Sequence, residues 1–246
     1  ELSALTSAKT VTYGLDEKAD YQAENVLNRP GGVEFEIVYP GGREKVKMKT
    51  PGMFTVYNTL AAFAVGIEEG LKSEAVVNTL AEIKGVPGRF ELVEGEQPFS
   101  VIVDYAHTPD SLENVLKTAR EFVTGQIITV FGCGGDRDRT KRPIMGEIAG
   151  RLSDLSIVTS DNPRSEEPLV IIDDIKKGFR NINYITEVDR RDAIMLACSK
   201  AKGGDMILIA GKGHEDYQEI KGEKLPFDDR VVAKECLGRL GYVANS

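Results

Sequence analysis

From Phe99 onward the chain repeats one unit: a short apolar run, a polar or glycine-rich loop, then a helix-forming stretch. The runs are Val101 to Val103, Ile127 to Phe131, Ile157 to Thr159 and Met206 to Ala210, with Tyr184 to Thr186 as a further strand. They recur roughly every thirty residues, the spacing that parallel strands joined by helical crossovers require. Runs this predominantly apolar, with no regular alternation, predict strands buried on both faces. The helices between and after them are predicted at 109–122, 142–152, 169–179, 189–200 and 229–240. Thr108 caps the first, with Pro109 at the position where a missing N–H costs nothing, and Asp189 caps the fourth. The fold class is therefore α/β, a doubly wound, Rossmann-like, mostly parallel sheet.

Residues 1–88 read differently. Lys9 to Tyr13 and Tyr21 to Val26 are predicted short strands, and Val33 to Tyr39 alternates apolar and acidic residues before Pro40-Gly41-Gly42 and Glu44 to Lys49, a hairpin pattern. A helix follows over 55–69, and Ser73 is the expected N-cap of another. Gly85-Val86-Pro87-Gly88 ends the periodicity, so the boundary is placed between residues 88 and 89.

A parallel sheet brings all its strand ends to one edge, where ligands bind at the reversal of strand order. Here that edge collects Asp104-Tyr105-Ala106-His107, Gly132-Cys133-Gly134-Gly135-Asp136-Arg137, Asp161-Asn162-Pro163-Arg164 and Gly211-Lys212-Gly213-His214-Glu215. Both histidines of the chain are among them. Gly132 to Gly135 by itself reads as a tight turn. It is neither a P-loop, because no Gly-Lys-Ser/Thr follows, nor the dinucleotide fingerprint, which needs glycine where Arg137 stands. Arg137 gives that loop a guanidinium able to clamp a carboxylate. Asp161 to Arg164 reads either as a polar turn or as a group that holds both ends of a zwitterion. Glu215 is a second ammonium partner, Lys212 a solvated loop lysine, and His214 and His107 supporting hydrogen-bonders. The histidines lie in separate loops without zinc-type spacing, so no metal site is expected.

The net charge of -8 argues against non-specific binding to nucleic acid or an anionic membrane, although Arg137, Arg139, Lys141 and Arg142 make a local basic patch for a small anion. Three cysteines without paired spacing point to a reducing compartment, the cytoplasm. No apolar run is long enough for a membrane span. The first residue, Glu1, fits a piece of a longer protein, and cleavage or tag removal gives the same start.

Taken together, the runs resemble the Mur ligases over nearly the whole chain. The matching pieces are Phe54 to Asn58 with Leu60 to Ala62, Pro87 to Glu91, Asp104 to Asp110, Phe131 to Met145, Thr159 to Pro168, Gly211 to Gln218 and Phe227 to Arg230. Thr55 departs from the asparagine more common there. The resemblance implies that residues 1–88 are the last part of a central ATPase domain and residues 89–246 a complete C-terminal domain. It implies ATP contacts at Asn58, Arg89, Asp104 and Tyr105, with His107 close by. It implies an amino-acid site at Arg137, Asp161, Asn162, Arg164, Gly211 and Glu215. The form Asp-Asn-Pro-Arg is linked in that family to meso-diaminopimelate, whose extra carboxylate Arg164 would pair.

The expected reaction is ATP-dependent amide formation through an acyl phosphate in peptidoglycan precursor synthesis, with Mg²⁺ on the phosphates and a UDP-linked muramoyl dipeptide as the other substrate. The whole enzyme is expected to be a monomer. No catalytic residue or metal ligand is expected within the 246 residues, and the chain alone is expected to be inactive for want of a P-loop. Its first portion is expected to expose apolar surface. The alternatives are a lysine-adding homologue, a stand-alone amino-acid-binding module, and a nicotinamide oxidoreductase suggested by fold alone.

Overall fold

The computed structural model describes residues 6–16, 18–29, 31–83 and 85–242. The chain divides into two compact units after residue 84.

The first unit is a four-stranded sheet, β1 (Tyr13–Gly14), β2 (Tyr21–Arg29), β3 (Gly32–Tyr39) and β4 (Gly42–Met48), in spatial order 1-2-3-4. Only β1 and β2 run parallel. Of the stretch predicted to begin at Lys9, only Tyr13 and Gly14 pair as a strand. Period-two alternation decides the faces of β3: Val33, Phe35 and Ile37 are buried, while Glu34 and Glu36 point outward toward Lys47, Lys45 and Arg43 of β4. The inner face is covered by α1 (Met53–Glu68) and α2 (Ser73–Glu82), through Val56, Leu60, Phe63, Val76 and Leu80. Ser73 does not cap α2. Lys72 holds that position, and the Ser73 hydroxyl donates instead to Glu44 at 2.6 Å. The outer side of α1 exposes Phe54, Tyr57 and Val65.

The second unit begins with β5 (Glu91–Leu92) and β6 (Ser100–Asp104), followed by α3 (Pro109–Arg120), β7 (Ile127–Phe131) and α4 (Lys141–Leu152). Next come β8 (Leu155–Val158), α5 (Pro168–Lys176), β9 (Tyr184–Thr186), α6 (Arg190–Lys200) and β10 (Met206–Ala210). A hairpin, β11 (Tyr217–Ile220) with β12 (Glu223–Pro226), and α7 (Asp229–Arg239) complete it. The main sheet has the order β5-β6-β10-β7-β8-β9 and is parallel except for β5.

Alternate residues of the continuous apolar strands feed two cores. Ile102, Ile127, Phe131, Val158 and Leu208 pack with α3, α4 and α5. Val101, Val103, Val130, Ile157, Ile207 and Ile209 pack with α6 and α7. The helices therefore lie on both faces, as double winding requires. Helix starts follow their caps. Thr108 and Ser111 form a reciprocal capping box before Pro109, and the Asp189 carboxylate accepts the Arg191 and Asp192 amides.

The chain steps outward through β6, β7, β8 and β9, then returns to place β10 between β6 and β7. The helix after β10 lies on the opposite face from those after its neighbours, so the loops diverge there and open a crevice at the carboxyl ends of the strands.

Candidate functional site

Two groups of side chains meet the crevice. The first lies at the ends of β6 and β10. Asp104 ends β6, and its carboxylate accepts the amides of Phe90 and Ala106, each at 2.8 Å. Burial pushes this carboxyl above its ordinary value, against the pull of those two amides and Arg89. Next to it, the Arg89 guanidinium sits 5.0 Å from the centroid of the Tyr105 ring. Tyr105 in turn meets the rings of His107 and His214 at 4.6 and 5.2 Å. His107 Nδ1 lies 2.8 Å from the Tyr105 carbonyl. Arg89, His107 and His214 are exposed, so the group offers flat, π-rich and cationic surface.

This surface is assembled by a close backbone approach. Gly88 has φ +69°, and a Cβ there would collide with the His214 amide nitrogen and the Gly213 carbonyl carbon. Only glycine lets the segment leading to Arg89 press against the loop after β10. Asn58, in the first unit, is an exposed residue of α1.

The second group is built from the loops after β7, β8 and β10. Asn162 is buried and commits both ends of its amide: Nδ2 donates to Glu215 at 2.9 Å, while Oδ1 accepts the Glu219 amide at 2.9 Å and the Lys212 ammonium at 3.2 Å. Lys212 is not the solvated loop lysine expected from sequence. Its side chain is fully buried, bonds Glu215 Oε2 at 3.0 Å and lies 5.4 Å from the Tyr217 ring centroid. A buried ammonium needs a partner, and Glu215 is that partner. Glu215 Oε1 and Asp161 Oδ2 accept no hydrogen bond among the described residues.

Arg164 has φ +52° and is clamped by the hairpin. Its amide donates to the Glu219 carbonyl, its carbonyl accepts the Lys221 amide, and its Nε pairs with the Glu219 carboxylate at 3.1 Å. NH1 donates to the Gly135 carbonyl at 3.0 Å, and NH2 makes no hydrogen bond among the described residues. Arg137 is exposed and, among the described residues, bonds only the Asp136 carbonyl. Its Cγ and Arg164 NH1 both lie within 4 Å of the point where a Gly134 Cβ would stand, so the two arginines are neighbours. Gly211, at φ +121°, lies against Asp161. A Cβ there would come within 2.6 Å of Asp161 Oδ2.

The basic patch expected around residues 137–142 is largely neutralised. Arg142 is completely buried between Glu166 and Asp174, and Arg139 also pairs with Glu166. The Arg142 guanidinium and the Asp136 amide hold the Glu166 carboxyl at about 2, well below its ordinary value. Lys141 donates to the His107 carbonyl at 2.7 Å. Arg137 is left as the cation of that run available to a ligand.

The structure thus brings Arg137, Asp161, Asn162, Arg164, Gly211 and Glu215 together, and separately groups Arg89, Asp104, Tyr105 and His107. Sequence reasoning missed Glu219 and Gln218, whose side-chain amide donates to the Asp161 carbonyl at 2.7 Å. It also missed the buried pair Arg190 and Asp229. Gln218 and Asp229 stand within runs picked out by the resemblance, but nothing local assigned them a role. Among the described residues no group of three or more His, Cys, Asp or Glu is placed to hold a metal ion, and no helix is long and apolar enough to cross a membrane.

Comparison with known proteins agrees over both units. Residues 88–213 match the family described as Mur ligase, glutamate ligase domain, and residues 1–66 match the Mur ligase middle domain. A UDP-N-acetylmuramoyl-L-alanyl-D-glutamate--2,6-diaminopimelate ligase of Bacillus cereus is 53% identical over 236 residues, covering 96% of this chain and 48% of the relative. The ligase of the same name from Halalkalibacterium halodurans is 48% identical over 237 residues, covering 96% and 49%. A solved structure of a ligase of that name superposes with a TM-score of 0.75 at 39% identity, covering 96% of this chain and 49% of that one. A UDP-N-acetylmuramate-alanine ligase from Thermotoga maritima shares the fold, with a TM-score of 0.62 at 22% identity over 94% of this chain and 48% of that one. The chain spans about half the length of the curated relatives it matches. Both of its units are accounted for by one architecture, and the chain belongs to the Mur ligase family.

Proposed function

We propose that the chain supplies the amino-acid pocket, and part of the ATP-binding surface, of a cytoplasmic ligase that joins meso-diaminopimelate to the D-glutamate γ-carboxylate of UDP-N-acetylmuramoyl-L-alanyl-D-glutamate. The observation that carries this reading is the set of polar atoms left without a hydrogen bond among the described residues of the second group, where ion pairs hold the Arg164 and Glu215 side chains. They are one carboxylate oxygen each of Asp161 and Glu215 and the NH2 of Arg164, with the exposed guanidinium of Arg137 beside Arg164. Such a pocket suits a ligand with ammonium and carboxylate at each end. The relatives named for this reaction support the choice.

In the reaction proposed, the γ-carboxylate is phosphorylated by ATP, the diaminopimelate amine attacks the acyl phosphate, and phosphate leaves from the tetrahedral intermediate. Asp161 and Glu215 take the ammonium, and Arg164 and Arg137 the carboxylates. Lys212 and Asn162 hold Glu215 in place. Arg89, Tyr105 and His107 form the face for ATP, with Asp104 fixing the Arg89 segment through the Phe90 amide. No ligand for Mg²⁺ is assigned to this chain. The 246 residues contain no Gly-Lys-Ser/Thr phosphate loop, so the chain alone is proposed not to turn over, and measurable ligation by it would refute that statement.

Calorimetric titration tests the pocket. Meso-diaminopimelate is expected to bind more tightly than L-lysine by about 2–5 kcal/mol, the cost of leaving a desolvated cation unpaired, and Arg164→Ala is expected to erase the difference. Equal binding of the two ligands by the unaltered protein would overturn the substrate assignment. So would a preference that survives Arg164→Ala. Should the chain bind neither, the same titration on the full-length protein decides, and no binding there refutes the reading.

A further inference from the structure

Among the described residues, Arg190–Asp229 is the ion pair with both side chains fully buried. Arg190 opens α6 and Asp229 opens α7. Their contact is bidentate, Nε to Oδ1 at 2.8 Å and NH2 to Oδ2 at 2.7 Å. The donors left over do not idle. NH2 also donates to the Ala210 carbonyl at 3.1 Å, and NH1 to the Ser160 carbonyl at 3.3 Å.

Those two carbonyls belong to Ala210 and Ser160, the residues immediately before Gly211 and Asp161 of the proposed amino-acid site. Gly211 follows β10 and Asp161 lies in the loop after β8, and β7 lies between those strands. The strands β8 and β10 stand two strand spacings, about 10 Å, apart with no ladder hydrogen bond between them, and beyond their ends the Asp161 carboxylate reaches to within 2.6 Å of the point where a Gly211 Cβ would stand. The Arg190 guanidinium links the two segments with one rigid, planar fork.

A buried ion pair is weak evidence for stability, because a well-packed apolar pair often does as well. What an apolar pair cannot do is donate to both carbonyls at once. We infer that Arg190, oriented by Asp229, is a positioning residue of the amino-acid site, setting the position of Asp161 relative to Gly211. The inference rests on the function proposed above for that pocket.

Two variants of the full-length protein test it. Arg190→Lys keeps a charge but loses the fork, and the double variant Arg190→Met/Asp229→Leu removes both charges without stranding either. In each, the KM for meso-diaminopimelate should rise roughly tenfold to a hundredfold, the range expected when reacting groups are displaced by about an ångström. The KM for ATP should stay within about twofold, because no Arg190 hydrogen bond reaches Arg89, Tyr105 or His107. A general loss of structure would move both constants. A double variant with unaltered KM for diaminopimelate overturns the inference, as does a parallel rise in both constants. If the double variant does not fold, Arg190→Lys decides by the same criteria. Absence of diaminopimelate-dependent turnover in the unaltered protein would instead refute the parent reading.

Discussion

Replacing Lys212 by methionine tests whether the loop after β10 is organised by a buried cation. The ammonium is fully buried, donates to Glu215 Oε2 at 3.0 Å and Asn162 Oδ1 at 3.2 Å, and lies 5.4 Å from the Tyr217 ring centroid. Methionine fills a similar volume, so the loss is electrostatic rather than a cavity. Breaking a fully buried pair from one side costs about 3–5 kcal/mol. The Glu215 side chain keeps 20% exposure and its bond from Asn162, so solvent recovers part of that. A charge-assisted hydrogen bond is worth about 1.5–3 kcal/mol. The expected destabilisation is therefore about 2–3 kcal/mol, or a fall of roughly 5–10 °C in Tm for a unit this size. Differential scanning calorimetry and urea titration measure it. The double variant Lys212→Met/Glu215→Gln removes the stranded carboxylate and should recover at least half of the loss, a coupling of about 1–2 kcal/mol in the cycle. A single variant within about 0.5 kcal/mol of the unaltered protein would be the behaviour of a solvated surface lysine, and would refute the burial argument.

Two other perturbations follow from the geometry. The Glu166 carboxyl is held at about 2 against an ordinary 4.5, so its contribution to stability is complete above pH 4.5 and is lost as pH falls toward 2. Glu166→Gln should lower stability at neutral pH and flatten the decline between pH 4.5 and 2, read from denaturant midpoints across that range, and an unchanged pH profile contradicts the assignment. Gly88→Ala places a side chain on a φ of +69° and into the His214 backbone, an expected loss of about 2–4 kcal/mol measurable by urea unfolding, and a near-neutral result would deny the close approach.

How much of this was legible in the sequence depends on the distance over which each decision is made. β6, β7, β8 and β10 were readable because a strand buried on both faces is predominantly apolar without regular alternation, a local property. Thr108 and Asp189 were readable as caps because a cap contacts residues two or three positions away. Ser73 looked like a cap on the same logic, yet Glu44, twenty-nine positions earlier, took its hydroxyl. The β11–β12 hairpin escaped notice because it is partly or fully exposed along its length, so it lacks the apolar signature of a strand. With it went Glu219, the partner of Arg164.

The same reasoning explains the buried charges. Whether Arg142, Arg190 or Lys212 is surface or core is settled by an acid elsewhere, at separations of 24, 39 and 3 positions. Only the last was close enough in sequence to be guessed, and there the lysine was still read as solvated, because Lys-x-x-Glu is also an ordinary exposed pair. The residues that would touch a ligand, Arg137, Asp161, Arg164 and Glu215, stand in loops whose composition announces them. The residues that fix where those groups point are Lys212, Glu219, Arg190 and Asp229, and three-dimensional proximity alone reveals them. The amino-acid pocket proposed above needs both sets: without the second, Glu215 and Arg164 would have no fixed direction in which to present an oxygen and an NH2 that carry no hydrogen bond among the described residues.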